Sequence, residues 1–255
     1  MLSRREPAAA PGPHSETRQS LAEVRPKNRV LAALPAEEFR RLAPYLMTVP
    51  VRAGQVLHTG GEDIRFVYFP NGGVVSMETV LLDGTLHTAA TVGDEGVIGG
   101  EAMLSTDAIS SGDTQVRVPD TNAERMSVEV FRRAITEPGV FRDLVGRHLQ
   151  TLVVQLMQNA ACRARHDAQQ RCAHWLLSTH DRMHRRDFLL SHEGLADMLG
   201  MQRPTVSAVA AVLQRRGLIR YTHGHIAVLD RRGLESRACE CYAQIRAQLR
   251  RLDRP

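Results

Sequence analysis

The chain has 255 residues, more than one average domain and fewer than three, with 43% hydrophobic and 24% charged side chains, an ordinary make-up for a globular protein. No apolar run approaches the roughly 18–20 residues of a membrane span, which excludes a transmembrane protein, and residues 1–26 lack the apolar core of a secretory signal. The net charge of +5 is unevenly spread: residues 1–135 carry 14 basic and 17 acidic side chains, residues 136–255 carry 19 and 11. A half of −3 joined to a half of +8 is the pattern expected when only one half meets a polyanion.

Four cysteines, Cys162, Cys172, Cys239 and Cys241, all lie in the basic half. This is unlike a small, Cys-dense secreted scaffold, so the chain reads as cytoplasmic.

In chain order, residues 1–26 are Pro- and Ala-rich with little to bury and read as a disordered arm. Asn28 can cap a helix carrying Val30, Leu31 and Leu34; Pro35 interrupts, and Phe39, Leu42 and Leu46 continue on a second short helix. From residue 48 to 126 short apolar or alternating runs are punctuated by glycine, with Asp83-Gly84 as a hairpin turn signal, which predicts one jelly roll of eight strands. Helical periodicity returns near Ser127, and a long helix is expected over 140–165. There Val145, Leu149, Leu152, Leu156 and Asn159 step by four and three, the spacing of a dimer seam. The stripe is broadened by Val153, Val154 and Met157, so a singly buried amphipathic helix is an equal reading.

Residues 168–255 are the most informative. After a helix over 168–184, Ser191 can cap a short helix bearing Leu195, Met198 and Leu199, and Gly200 ends it with a sharp turn. Arg203-Pro204 opens the next helix, whose inward face is Val206, Val209, Ala210 and Leu213. Its outward face, Thr205, Ser207, Ala208, Ala211, Gln214 and Arg215, has no acid to repel phosphate, small residues for close approach and donors for base edges. Gln202 and Arg203 stand at its start. Two strands around Thr222-His223-Gly224-His225 follow, a wing offering Arg220, His223 and His225 to a phosphate backbone. The order is that of a winged helix-turn-helix on the basic half.

The order of roll, long helix and winged helix-turn-helix resembles the Crp/Fnr superfamily of bacterial transcription regulators over about residues 28–235. The resemblance is carried by Ala53-Gly54-Gln55-Val56-Leu57 with Gly60, Val67-Tyr68-Phe69-Pro70 with Gly72, Gly93-Asp94-Glu95-Gly96-Val97-Ile98-Gly99, the run from Leu195 to Ser207, and Gly217-Leu218-Ile219. It implies an α+β chain: arm 1–26, effector domain of double-stranded β-helix or jelly-roll type 27–136, dimerisation helix 137–166, and DNA-binding domain 167–255. The implied protein is no enzyme but a homodimer reading a palindromic operator in duplex DNA, with RNA polymerase as a further partner. Arg203 falls where such proteins place a guanine-contacting Arg; Pro204 and Ala208 replace side chains of the cyclic-AMP-responsive type, implying a different operator.

The effector is unknown. Family members that bind cyclic nucleotides use a Gly-Glu pair, for which Gly99, Gly100 and Glu101 are candidates, and an Arg-Ser or Arg-Thr pair for the phosphate. Here that second site reads Ser111-Gly112-Asp113-Thr114, so Thr114 keeps the hydroxyl while Asp113 repels the phosphate, and a cyclic nucleotide is disfavoured. An iron–sulfur variant lacks its N-terminal thiolates, whereas His58 and His87 leave a haem variant open.

Cys162 and His166 sit one helical turn apart, and Cys239 and Cys241 could join them in a zinc or redox site if the C-terminal helix folds back; packing as inert residues is the favoured expectation. Two other functions fit the sequence less well: a cupin-like metalloenzyme, for which His58, Glu62 and His87 have the wrong spacing, and a cyclic-nucleotide-binding adaptor that binds protein, against which the +8 half argues.

Overall fold

The structure, a computed structural model, describes residues 26–82, 86–120, 122–183 and 185–252. The expected disordered arm and the Asp83-Gly84 turn lie outside the described residues. Two short helices lead in, α1 (Arg29–Ala32) and α2 (Ala36–Leu42). Seven strands follow: β1 (Met47–Pro50), β2 (Val56–His58), β3 (Phe66–Pro70), β4 (Val74–Val80), β5 (Leu86–Val92), β6 (Asp113–Val118) and β7 (Asn122–Ser127). They form a four-stranded sheet in the order β2-β6-β4-β5 and a three-stranded sheet in the order β1-β7-β3. Eight strands are expected from the sequence; among the described residues the stretch around Gly96–Gly99 contributes a single bridge, Tyr68 to Ile98, in place of an eighth.

Then come α3 (Val128–Thr136), α4 (Val140–Arg165), α5 (Ala168–Arg182), strand β8 (Asp187–Leu189), α6 (His192–Leu199), α7 (Arg203–Arg215), β9 (Ile219–Thr222), β10 (His225–Val228), α8 (Arg231–Glu235) and α9 (Glu240–Leu252). The three last strands pair as β8-β10-β9. No described helix is long and apolar enough to cross a membrane.

Asn28 performs the expected cap and more. Its Oδ1 accepts from Val30 and Leu31, its Nδ2 donates to the carbonyls of Pro70 and Gly96 at 2.9 Å, and its backbone N–H donates to Asn71. Fully buried, it ties the lead-in to two loops of the roll with every polar atom matched.

The two halves are not independent bodies. Val74 and Val118 of the four-stranded sheet pack in one core with Cys172, Leu176 and Leu199 of the C-terminal half. Beside that core Arg182, at the end of α5, enters the roll and donates Nε and Nη2 to Glu95 at 2.9 and 2.6 Å, while Nη1 reaches Thr91 Oγ1. Both charges are buried. Burial pushes the Glu95 carboxyl up, but the Arg182 guanidinium and the hydrogen bonds around it more than offset that and hold it below the usual range. His148 of α4 packs against the same loop, Nε2 facing the Val97 carbonyl at 3.0 Å. The loop needs glycine for close approach: a Cβ on Gly93 would lie 2.6 Å from Arg182 Cδ, and one on Gly96 2.3 Å from His148 Cε1.

Burial lowers the His148 imidazole from 6.5 to about 4, so it is neutral when folded. Between those values the unfolded chain binds the extra proton, and folding stability falls as pH falls. Chemical denaturation from pH 7 to 4 should show a loss of about 3 kcal/mol from this group, with Glu95 adding to the fall below its ordinary range. His148→Gln should flatten the upper part of the profile; an unchanged slope would show that another group is responsible.

Candidate nucleic-acid interface

Local sequence builds the helix-turn-helix. Ser191 caps α6 by accepting from the Gly194 N–H at 3.0 Å, and Gly200 closes it at φ 59°. Gln202 is the residue before α7, with Arg203 and Pro204 in its first turn. Val206, Ala210 and Leu213 are buried, with Val209 partly so, which is the expected inward face. Gln202, Arg203, Thr205, Ala208, Ala211 and Arg215 are exposed, and no acid lies on α7. The helix therefore offers one cationic, small-residue face to solvent, with Arg203 at its N-terminal end.

Two of the expected DNA-facing side chains have internal partners. Ser207 Oγ lies 3.0 Å from His192 Nδ1, and His192 stacks on Tyr221 with centroids 4.1 Å apart. Gln214 accepts the Tyr221 N–H through Oε1 at 2.6 Å. Both side chains thus brace α7 against α6 and the wing. The wing turn is tight because His223 and Gly224 both have positive φ, 50° and 81°. Arg220 and His223 are exposed. His225 is exposed too, but Nδ1 lies 3.9 Å from Asp187 on β8, a strand that the sequence reading leaves out.

The motif is docked by its first helix. Met198 of α6 accepts from Thr88 Oγ1 of β5 at 3.7 Å, and Arg171 donates to the Leu199 carbonyl. Asp197 faces Arg117 and Glu78 of β6 and β4, which pair with each other; burial raises its carboxyl above the usual range. The roll holds α6, while one face of α7 stays exposed.

The long helix corrects the expected seam. Val145 and Leu152 are buried against the roll and Leu149 is partly buried there, while Asn159 donates to the Ala89 carbonyl at 2.9 Å. Of the five expected seam residues only Leu156 is exposed. A 26-residue helix that carries apolar side chains on adjoining faces does not reveal by period which face its own chain covers. The outward face is Gly146, Gln150, Val153, Met157 and Ala160, again stepping by four and three, with Val153 55% and Met157 70% exposed.

Inside the roll, Gly99 (φ 82°) precedes a short turn, Gly100–Met103, that contains Glu101. Thr114 is the register partner of His58, and Glu101 acts electrostatically on the His58 imidazole. Burial lowers that imidazole, more than its hydrogen bond to the Phe66 carbonyl and Glu101 raise it. Glu101 Oε1, Thr114 Oγ1 and His58 Nδ1 are buried polar atoms without a hydrogen-bond partner. Asp113 is occupied, its Oδ1 accepting the Gly60 N–H at 2.7 Å.

Cys162, His166, Cys239 and Cys241 are brought together, with ligand atoms all within 4.8 Å of one another. Cys172 sits apart in the core of the C-terminal half.

Residues 170–237 match the Crp-like helix-turn-helix domain. No curated protein matches the chain. Among solved structures, a transcriptional regulator of the Crp/Fnr family from Eubacterium rectale is similar at 17% identity and TM-score 0.60, covering 80% of this chain and 95% of that one. A CRP-family transcriptional regulator from Thermus thermophilus is 26% identical over 75% of this chain and 95% of its own, at TM-score 0.60. The c-di-GMP-responsive global regulator CLP of Xanthomonas campestris is 16% identical over 76% of this chain and 99% of its own, at TM-score 0.61. The α+β architecture of N-terminal β-sheet domain, long helix and C-terminal helix-turn-helix is thus that of these regulators.

The two faces of α4 separate in a simple experiment. Leu152→Asp puts a charge into the roll core and should lower unfolding free energy by about 3 kcal/mol or more. Met157→Asp should keep the wild-type circular-dichroism spectrum. Equal damage by both would remove the distinction between the faces.

Proposed function

We propose that this chain, with a Crp-like helix-turn-helix domain on the fold of Crp/Fnr regulators, is a dimeric, sequence-specific DNA-binding transcription regulator whose roll senses an effector. The observation that carries the reading is α7: a solvent-facing helix free of acids, with Arg203 at its N-terminal end, braced from behind by Ser207–His192 and Gln214–Tyr221. A helix so presented can enter a major groove, where Arg takes guanine O6 and N7 with two parallel hydrogen bonds. Thr205, Ala208 and Arg215 line the same approach, and Arg220 and His223 of the wing reach the backbone. His225 is the weaker backbone contact because Asp187 stands beside it.

Two-fold DNA needs a two-fold protein. The outward face of α4 supplies the seam, with Val153, Leu156 and Met157 meeting their copies, and it replaces the seam expected from spacing.

The effector pocket is the trio His58, Glu101 and Thr114, beside Gly99 and Gly100. Three partnerless buried polar atoms within one roll favour a small polar ligand. A cyclic nucleotide bound through the family's usual contacts is disfavoured, because Asp113 is spent on the Gly60 turn and puts negative charge at the phosphate position. The fold is shared with CLP, a regulator named for its response to a cyclic dinucleotide.

Operator selection from random duplexes, with and without candidate ligands, tests the whole reading. The selected sites should be palindromic, and log affinity should fall linearly with log salt; a flat salt response on duplex DNA would sink it. Arg203→Ala should cost about 1–3 kcal/mol at one base position, whereas equal weakening on random DNA would make Arg203 a phosphate contact. Met157→Asp should sediment as a monomer; a dimer would move the interface elsewhere.

A further inference from the structure

The helix that closes the chain, α9, folds back on α4 and brings together residues 77 positions apart in sequence. Cys162 and His166 occupy the last turn of α4 and its cap; Cys239 and Cys241 flank the start of α9. Inert packing is what the sequence favours for these four. The arrangement around them argues otherwise, and we propose that Cys162, His166, Cys239 and Cys241 form a tetrahedral site for a zinc-type divalent cation that clamps α9 to α4.

Three observations carry this. The first is closure of the donor set. Zinc bonds of about 2.3 Å to sulfur and 2.0–2.1 Å to nitrogen place tetrahedral ligand atoms roughly 3.5–3.8 Å apart. Here Cys162 Sγ lies 3.5 Å from Cys239 Sγ, and Cys241 Sγ lies 3.4 Å from His166 Nδ1. All four atoms stay within 4.8 Å of one another.

The second is the far side of the imidazole. With Nδ1 turned to the thiols, His166 Nε2 lies 3.2 Å from the Glu240 carboxylate. A metal-binding histidine commonly has its other nitrogen held by a carboxylate, which fixes the ring and makes the free nitrogen a better ligand. Gln158 adds an N–H donated to Cys241 Sγ at 3.1 Å, and the His174 ring lies 3.8 Å from Cys239 Sγ.

The third is charge. Three thiolates around a divalent cation leave one net negative charge in a buried place. Arg163 and Arg171 both interact electrostatically with Cys162, and Arg171 also with Cys239. Both guanidinium groups also donate to backbone carbonyls, of Thr88 and Leu199, which holds them beside the thiols, where their charge would offset that of a loaded site. A Cys162–Cys239 disulfide would instead strand Cys241 and His166, together with the Glu240 carboxylate behind the imidazole. Binding releases the thiol protons to solvent, with no change of oxidation state.

The full-length chain, reduced and freed of metal by chelation, is titrated with cobalt(II) and then zinc. Wild type should take one equivalent of cobalt, with the intense ligand-field bands of a tetrahedral ion and thiolate-to-cobalt charge transfer, both abolished by zinc. Cys172→Ser should behave as wild type. Cys239→Ser and the milder His166→Gln should lose the bands or shift them, and Glu240→Ala should weaken affinity about ten- to hundredfold. Zinc should raise the melting temperature of wild type and not of Cys239→Ser. A wild-type titration with no tetrahedral spectrum at one equivalent overturns the site, as does an unchanged spectrum in Cys239→Ser. So does a reduced chain whose only response is to form a Cys162–Cys239 disulfide in air. The cobalt measurement uses no DNA, so loss of operator binding in a cobalt-loaded chain would count against the proposed function and leave the metal site standing.

Discussion

Arg182 and Glu95 are separated by 87 positions in sequence and meet where the roll, the long helix and the C-terminal half come together. Stripping water from two charges costs several kcal/mol per ion, and only good geometry and extra hydrogen bonds return it. The pair has both: two guanidinium nitrogens on one carboxylate oxygen, and a third bonded to Thr91. Removing either partner would leave an uncompensated buried charge, so the contact defines one relative placement of the halves. Much follows from it. Gly93 and Gly96 are bare because Arg182 and His148 occupy the space a side chain would fill. Val74 and Val118 face outward from the roll because the C-terminal half is there to cover them.

This placement also explains how one small basic domain can be both anchored and free. Its two central helices divide the work. The helix with acids, α6, lies against the sheet, where Arg117 faces Asp197. The helix without acids, α7, turns its acid-free face to water. The surplus of arginine in the second half is therefore only partly available to a polyanion: Arg163, Arg171 and Arg182 donate to groups inside the fold.

What could be read from sequence was what is decided locally. The Ser191 cap, the left-handed Gly200 and the Arg203-Pro204 entry each act within four residues, and the two helices appear where those signals place them. The alternation of the roll strands is local as well. Four of the five residues expected at a seam on α4 are instead wholly or partly covered by their own chain, because several faces of that helix are apolar and only tertiary contact tells which is covered. Arg182 and His148 gave no signal, and Glu95 none for its partner, since nothing near any of them in sequence announces a partner from another element. The string Gly93-Asp94-Glu95-Gly96 was visible as a family-like motif while its physical reason was not. The partnerless trio in the roll was half legible: Glu101 and Thr114 follow from the resemblance, whereas His58 joins them only through strand register. The thiol cluster was legible as a possibility that hinged on one fold-back, which α9 makes.

Strand β6 has a consequence for how the molecule can respond to change. Four residues of it, from Thr114 to Arg117, run from the partnerless hydroxyl inside the roll to the guanidinium that pairs with Glu78 under α6. The strand is common property, lining the interior of one half and forming the bedding of the other. Between the partnerless hydroxyl and α6 there is thus the thickness of a single sheet, with no linker segment between them.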